Sequence, residues 1–263
     1  MPRREDPSTY FSPLTGLYAS HRPTYPEAAF RAALNGLGDA PVVVDIGCGT
    51  GIASRALAGL GMRVIALDPN EAMLEAARSH PDAMMREIDY RLASAEKTGL
   101  PGDSADLILC AQAFHWFDAP VALAEFHRVL RRRGRLALLW NVRLPDHDPL
   151  TRGYEEVVRR AQADAKQRGR VAGHRYAFDP ESTTRFRVTG RLAFRNPQRL
   201  DREGFIGRAR SASYFPPDGP LRDELTAELH RLFDEHESDG EVALAQEARL
   251  TLTSPPAPSS PTG

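Results

Sequence analysis

The stretch of the sequence best suited to chemistry is a set of alternating glycines that follows an acidic residue. Val42–Val44 and Asp45 precede the segment Gly47-Cys-Gly49-Thr-Gly51. The β-branched residues predict a buried strand, and the apolar pattern after the glycines predicts a helix. Because glycine has no Cβ, the backbone can approach a ligand closely here, and the free N–H groups at the helix start face the loop. The pattern therefore predicts a strand, a tight turn and a helix that hold a nucleotide-like cofactor.

The spacing of these glycines does not fit two common phosphate-binding motifs. The dinucleotide fingerprint needs a glycine or alanine three residues after its second glycine, and the residues at that distance are Ile52 or Ser54. A P-loop continues with lysine and then serine or threonine, whereas Ile52 follows Gly51. A nicotinamide-dependent oxidoreductase is therefore the less favoured interpretation.

Two segments of the chain resemble one enzyme family. The segment Asp45-Ile-Gly47-Cys-Gly49-Thr-Gly51 resembles motif I of the class I S-adenosylmethionine-dependent methyltransferases, in which this loop wraps the methionine part of a cofactor without phosphate. Downstream, Ala111-Gln112-Ala113-Phe114-His115-Trp116-Phe117 is similar to a subgroup of the type 11 methyltransferases. The resemblance covers roughly residues 18–253. It implies S-adenosylmethionine as cofactor and in-line displacement at the sulfonium methyl group as the reaction.

The cofactor-binding residues are predicted from the same resemblance and from their positions at the ends of predicted strands. Asp68 ends a second predicted strand, where a carboxylate can accept hydrogen bonds from both ribose hydroxyls. Tyr18 and Arg22 lie in an N-terminal segment that covers the cofactor in the family, and they would meet its carboxylate. Ser94 stands where similar proteins carry an aspartate for the adenine amine, and its hydroxyl can accept one hydrogen bond. The predicted set is Tyr18, Arg22, Asp45, Gly47, Cys48, Gly49, Asp68, Pro69, Met73, Ser94, Ala95, Glu96, Gln112 and Phe114.

The acceptor side is predicted around a histidine that follows the fourth strand. The aromatic neighbours of His115 disfavour a charged imidazolium, so it is the candidate general base. The alternatives are that it only hydrogen-bonds a backbone group, or that positioning alone drives the displacement. The predicted substrate-binding residues are His115, Trp116, Trp140, Asn141, Arg208, Arg210 and Tyr214, and no metal ligands are predicted.

The resemblance also implies the fold, a Rossmann-like α/β arrangement. It has a seven-stranded, mostly parallel sheet with helices on both faces and an antiparallel last strand. We expect a flexible terminus at 1–17, a methyltransferase domain at 18–253 with a substrate-covering insertion at about 142–182, and a disordered tail at 254–263. Glu241–Thr253 is predicted to be one strand. Arg131–Arg133 are expected to complement the dipole at the end of a helix over Ala119–Leu130.

The amino-acid composition limits the kinds of molecule that the protein is expected to bind. The net charge of −1 gives no electrostatic case for binding nucleic acid or an anionic membrane. No apolar stretch is long enough to span a bilayer, and no signal peptide is recognisable. Cys48 and Cys110 lack metal-binding or redox spacing. These features favour a cytoplasmic enzyme with a small-molecule acceptor. An RNA or protein acceptor and a non-catalytic cofactor-binding protein stay open as alternatives.

Overall fold

The computed structural model describes residues 23–83, 87–169, 184–212 and 214–256. The predicted flexible terminus, Tyr18, Arg22, part of the predicted insertion and most of the predicted tail lie outside the described residues. Two compact units are distinguished within the described parts of the chain. The sheet unit contains the described residues within 27–140, 175–193 and 249–263. The accessory unit contains the described residues within 1–26, 141–174 and 194–248.

Strands and helices alternate along the first half of the chain. The strands are β1 (Val42–Ile46), β2 (Arg63–Asp68), β3 (Ile88–Leu92), β4 (Ala105–Ala111) and β5 (Leu130–Arg143). The helices are α1 (Glu27–Leu34), α2 (Ile52–Gly59), α3 (Glu71–Ser79) and α4 (Ala119–Val129). The pairs β1–β2, β2–β3, β1–β4 and β4–β5 are all parallel. This pattern is expected for strands joined by crossover helices.

The rest of the described chain adds helices and shorter strands. They are α5 (Pro149–Gln167), β6 (Arg187–Arg195), β7 (Gln198–Asp201), α6 (Arg202–Arg210), α7 (Pro220–His236), β8 (Glu241–Leu244) and β9 (Gln246–Ser254). β7 and β8 form a separate antiparallel pair. Among the described residues, no helix has both the length and the apolar character needed to cross a membrane.

The main sheet has seven strands in the order β3-β2-β1-β4-β5-β9-β6, with an antiparallel last strand. The predicted fold class is therefore confirmed. Successive strands are added to one side of β1 up to β3, and β4 then returns to its other side. Where the order reverses in this way, the carboxyl ends of the two flanking strands border a crevice in which ligands bind. Val43 and Val44 of β1 are completely buried, so the centre of the sheet is also its core.

Two sequence expectations about local structure are wrong. The predicted single strand Glu241–Thr253 is two strands, β8 and β9, separated at Ala245. The N–H of Ala245 donates to Oγ1 of Thr151 (2.9 Å), and its carbonyl accepts from the N–H of Leu144 (2.9 Å). These two long-range bonds fix the break, and the alternating apolar pattern continues through it without a sign of the change.

The arginines at 131–133 do not cap a helix. α4 ends at Val129, and Leu130 already pairs with Ala105 as the first residue of β5. The register between β4 and β5 shifts just after this pair, so the arginines lie in an irregular start of the strand. Arg131 forms an ion pair with Asp106 at 2.5 Å. Burial of Leu130 (2% exposed) favours strand pairing immediately after the helix.

Candidate functional site

The glycine loop is held against the end of β2 by backbone hydrogen bonds. The N–H groups of Gly47 and Cys48 both donate to the carbonyl of Leu67, at 2.8 and 3.0 Å. The N–H of Gly51 donates to the carbonyl of Cys48 (2.9 Å) and closes the turn before α2. Gly47, Gly49 and Gly51 have φ angles of +72°, +53° and +77°. The left-handed conformation costs little for glycine and is rare for other residues, which explains the residue type at all three positions.

The surroundings of the three glycines differ. A Cβ on Gly47 would lie 2.5 Å from Cβ of Ala113, and one on Gly51 would lie 2.6 Å from the Tyr90 hydroxyl. A Cβ on Gly49 would meet no atom within 4 Å. Gly47 and Gly51 are therefore required by packing, whereas Gly49 presents bare backbone to open space. This is the part of the loop that a ligand can approach.

Asp68 lies at the end of β2 and contacts the glycine loop directly. Its Oδ2 accepts a hydrogen bond from the N–H of Gly49 (2.8 Å), and its Oδ1 accepts one from the N–H of Asn70 (2.9 Å). Asn70 then caps α3, because its side chain accepts from the N–H of Met73 (3.3 Å). A carboxylate can accept about four hydrogen bonds, so Asp68 keeps capacity for two ligand hydroxyls. Burial raises its pKa despite these two bonds.

Asp45 is completely buried at the end of β1. Its Oδ2 accepts a hydrogen bond from the Ser54 hydroxyl (2.5 Å). Its Oδ1 has no hydrogen-bond partner among the described residues. Burial raises its pKa to about 7. A nearby cation would favour the ionised form of such a carboxyl, so this end of the loop suits a ligand with a positive group.

The residues after β3 are tied to the end of β4. Oε1 of Glu96 accepts a hydrogen bond from the N–H of Asp118 (2.8 Å). Ser94 forms an isolated bridge with Lys97, and Ala95 between them is buried. The predicted adenine-binding segment therefore lies at the carboxyl end of the sheet. The sequence did not indicate the structural role of Glu96.

The chain turns sharply where β4 ends. Gln112 has a φ of 57° although it carries a side chain, and its N–H donates to the carbonyl of Leu139 (2.9 Å). One turn of 3₁₀ helix, Phe114–Trp116, follows. Non-glycine residues in this conformation concentrate at functional sites, where the surrounding structure compensates for the strain.

His115 lies between two indole rings. The centroid of its ring is 4.8 Å from that of Trp116 and 5.4 Å from that of Trp140. Phe114 is 2% exposed and packs edge-on against Phe117, with ring centroids 5.6 Å apart. Aromatic walls exclude water from their surroundings, which favours both proton transfer by a neutral imidazole and displacement chemistry.

The family comparison agrees with this geometry. The family model described as a methyltransferase domain matches residues 44–138, which include the glycine loop, Asp68 and His115. Residues 44–138 are therefore similar to the methyltransferase domain that this family model describes.

Named relatives and a solved structure that are similar to this chain are also methyltransferases by name. An uncharacterised methyltransferase of Mycobacterium tuberculosis is 39% identical over 140 residues, which are 53% of this chain and 55% of that protein. A malonyl-[acyl-carrier protein] O-methyltransferase of Yersinia pestis is 44% identical over 94 residues, 35% of this chain and 34% of that one. A candidate type II methyltransferase from Anaeromyxobacter dehalogenans has a TM-score of 0.58 at 25% identity, covering 89% of this chain and 97% of that one. The chain spans about half the length of the first of these relatives.

The described residues that are predicted to bind the cofactor, together with His115 and Trp116, lie mostly at or just after the carboxyl ends of four adjacent strands. Asp45, Gly47, Cys48 and Gly49 follow β1, and Asp68 and Pro69 follow β2. Ser94, Ala95 and Glu96 follow β3, and Gln112, Phe114, His115 and Trp116 follow β4. Met73 is different, because it is a buried residue of α3 that is 3% exposed. The remaining aromatic, Trp140, lies on β5 beside His115.

The other predicted acceptor residues belong to the accessory unit. Nδ2 of Asn141 donates to the Thr24 carbonyl (3.1 Å), and its Oδ1 accepts from Nδ2 of Asn196 (2.9 Å). The side chain of Asn141 therefore holds the segment that precedes α1. Arg208 and Tyr214 are half-buried, whereas Arg210 is exposed at the end of α6. Sequence reasoning missed Ser54, and only its position in the first turn of α2 after a strand-end acid could have indicated its role.

Proposed function

We propose that the protein transfers the methyl group of S-adenosylmethionine to an oxygen, nitrogen or carbon atom of a small-molecule acceptor. The observation that carries this proposal is the open space at Gly49, beside the loop-bound carboxylate of Asp68. A ligand with a cationic amino acid part and a ribose matches the two acidic strand ends. A phosphate-bearing dinucleotide matches them poorly.

Each part of the cofactor has a matching group in the domain. Asp68 keeps acceptor capacity for the ribose hydroxyls. Asp45, with one oxygen unpaired among the described residues, provides negative potential toward the ammonium group. Ser94 and Ala95 would meet the adenine. When bound, S-adenosylmethionine supplies an electrophilic methyl group on sulfur.

The chain's own residues position the acceptor and manage its proton. Trp116 and Trp140 lie beside the half-buried His115 and give it aromatic neighbours. An imidazole placed there takes the proton from an alcohol, phenol or amine as it attacks. An acceptor that is already anionic needs only to be aligned with the methyl group.

A small acceptor and a cytoplasmic location fit the remaining observations. The net charge of −1 offers no electrostatic attraction to nucleic acid. The Yersinia pestis relative is named for methylating an oxygen of a malonyl group. An oxygen acceptor is therefore within the chemistry of a related domain.

Two measurements test the proposed function. Calorimetry should show micromolar or tighter binding of S-adenosylmethionine or S-adenosylhomocysteine and much weaker binding of NAD. Labelled methyl groups should then transfer to a component of a metabolite extract, and not to RNA or protein fractions. The Gly49→Ala variant is the control, since it places a methyl group in the space proposed for the cofactor. Comparable binding of NAD would overturn the cofactor assignment, and binding without any transfer would indicate a cofactor-binding protein.

A further inference from the structure

The accessory unit contains a buried amide whose hydrogen-bonding groups are unused. Gln246, the first residue of β9, is 2% exposed. Neither its Nε2 nor its Oε1 has a hydrogen-bond partner in the described part of the chain. Its backbone is paired, since its carbonyl accepts from the N–H of Asn196 (2.9 Å). Buried polar side chains nearly always have partners, so an unpaired amide at this depth points to a ligand or water.

A guanidinium lies on the neighbouring strand. The N–H of Leu144 donates to the carbonyl of Ala245 (2.9 Å), and β5 and β9 are neighbours in the sheet. On antiparallel strands this bond places the preceding residue, Arg143, opposite the following one, Gln246. Residues opposite each other project on the same face, with Cβ atoms about 5 Å apart.

The Arg143 side chain is held in place by its neighbours, but not all of its hydrogen-bond donors are used. Its Nε donates to Oε2 of Glu155 (2.7 Å), and its guanidinium carbon lies 5.4 Å from the centre of the Tyr154 ring. Its two terminal nitrogens make no hydrogen bond to the described residues. Burial alone would lower the pKa of Arg143, but Tyr214, Glu155 and Tyr154 raise it, so the guanidinium keeps its charge.

We propose that Gln246 and Arg143 together bind the carboxylate group of a small organic acid. The two side chains offer more unused donors than acceptors, and the terminal nitrogens of an arginine match the two oxygens of a carboxylate. Glu155 holds the guanidinium through Nε and leaves the terminal nitrogens for the ligand. The inference goes beyond the proposed function, because it assigns a carboxylate-binding site to the accessory unit.

The test uses the full chain and propionate as the probe, with propionamide as the uncharged analogue of the same shape. The side-chain NH₂ signal of Gln246 is assigned in ¹⁵N-labelled protein by its loss in Gln246→Leu. Propionate should shift this signal saturably, and propionamide should bind at least about tenfold more weakly. Arg143→Gln should weaken propionate binding by about tenfold or more. Arg199→Lys, at a residue whose side chain is 77% exposed, should not change it.

Three results would contradict the proposed carboxylate site. An amide that is satisfied only by water would show no saturable shift, and that result would overturn the inference. Equal responses to propionate and propionamide, or an unchanged affinity in Arg143→Gln, would also overturn it. The experiment needs no methyl transfer, so its outcome is separate from that of the proposed function. Binding of S-adenosylmethionine without a propionate response refutes only the carboxylate site, and a propionate response without that binding refutes only the methyltransferase assignment.

Discussion

The Ser54 hydroxyl donates a 2.5 Å hydrogen bond to Oδ2 of Asp45, nine residues earlier in the sequence. The bond joins the end of β1 to the first turn of α2 and so spans the base of the glycine loop. It favours the ionised carboxyl, whereas complete burial disfavours it more strongly and brings the pKa to about 7. The protonation state of Asp45 is therefore balanced near neutral pH, where a bound cation would shift it toward the anion.

The buried carboxyl should make stability depend on pH. Its folded pKa of about 7 lies above the ordinary value of 3.8. Between these values the unfolded chain has lost the proton and the folded chain retains it, so the free energy of unfolding falls as pH rises. Asp45→Asn has no proton to lose. Relative to this variant, the wild type should lose stability from pH 4 to pH 7, by at most about 1.4 kcal/mol for each pKa unit of the shift.

Urea unfolding of both proteins across this pH range measures the difference directly. Ser54→Ala removes the bond that favours the anion, so its loss of stability should extend to higher pH than that of the wild type. Parallel pH profiles for the wild type and Asp45→Asn would show that folding does not raise the pKa of Asp45.

Two glycines of the loop should respond differently to the same substitution. Gly47→Ala adds a left-handed alanine and a contact of 2.5 Å with Ala113, whereas Gly49→Ala adds only the left-handed residue. The backbone term is about 1–2 kcal/mol for each, and overpacking adds about 1–3 kcal/mol to Gly47→Ala. Thermal unfolding should therefore show the larger loss for Gly47→Ala. Calorimetry should show the larger loss of S-adenosylmethionine affinity, relative to stability, for Gly49→Ala. The reverse order in both measurements would place the ligand elsewhere.

Removal of the Asp68 carboxylate should weaken cofactor binding by about ten- to a hundredfold, or roughly 1.5–3 kcal/mol. Part of the loss would come from the ribose and part from the loop, because Oδ2 also holds the N–H of Gly49. Asp68→Asn keeps one acceptor oxygen and should fall between the wild type and Asp68→Ala. Calorimetry with S-adenosylhomocysteine gives the affinities, and melting temperatures report on folding. An unchanged dissociation constant in Asp68→Ala would refute the ribose assignment.

His115→Ala should lower the turnover number by roughly 10²–10⁴-fold if the imidazole removes the acceptor proton. Cofactor affinity should stay the same, because the proposed cofactor contacts lie at other residues. The acidic limb of the rate profile should also disappear. Trp116→Phe is the matched control, because it alters the wall beside His115 and leaves the imidazole in place. A loss below about threefold, with chemistry limiting the rate, would make His115 a wall of the pocket and not a base.

The sequence by itself determined the fold class and predicted where the candidate site lies in it. The spacing of Gly47, Gly49 and Gly51, the acids Asp45 and Asp68, and the aromatic segment around His115 are local patterns. Each follows a strand whose apolar residues are recognisable along the chain. The carboxyl ends of parallel strands meet at one edge of the sheet. The sequence pattern alone therefore predicts that these residues lie together at that edge.

The tertiary structure decided which of these residues can contact a ligand and which are already packed or hydrogen-bonded within the protein. Ala113 and Phe117, far along the chain, pack against Gly47, whereas the position of a Cβ on Gly49 is open. The break at Ala245 depends on Thr151 and Leu144, and the unpaired amide of Gln246 depends on all its neighbours. These properties arise from contacts between residues distant in sequence. Local periodicity carries no information about such contacts, because hydrogen-bond partners and free space are set by packing.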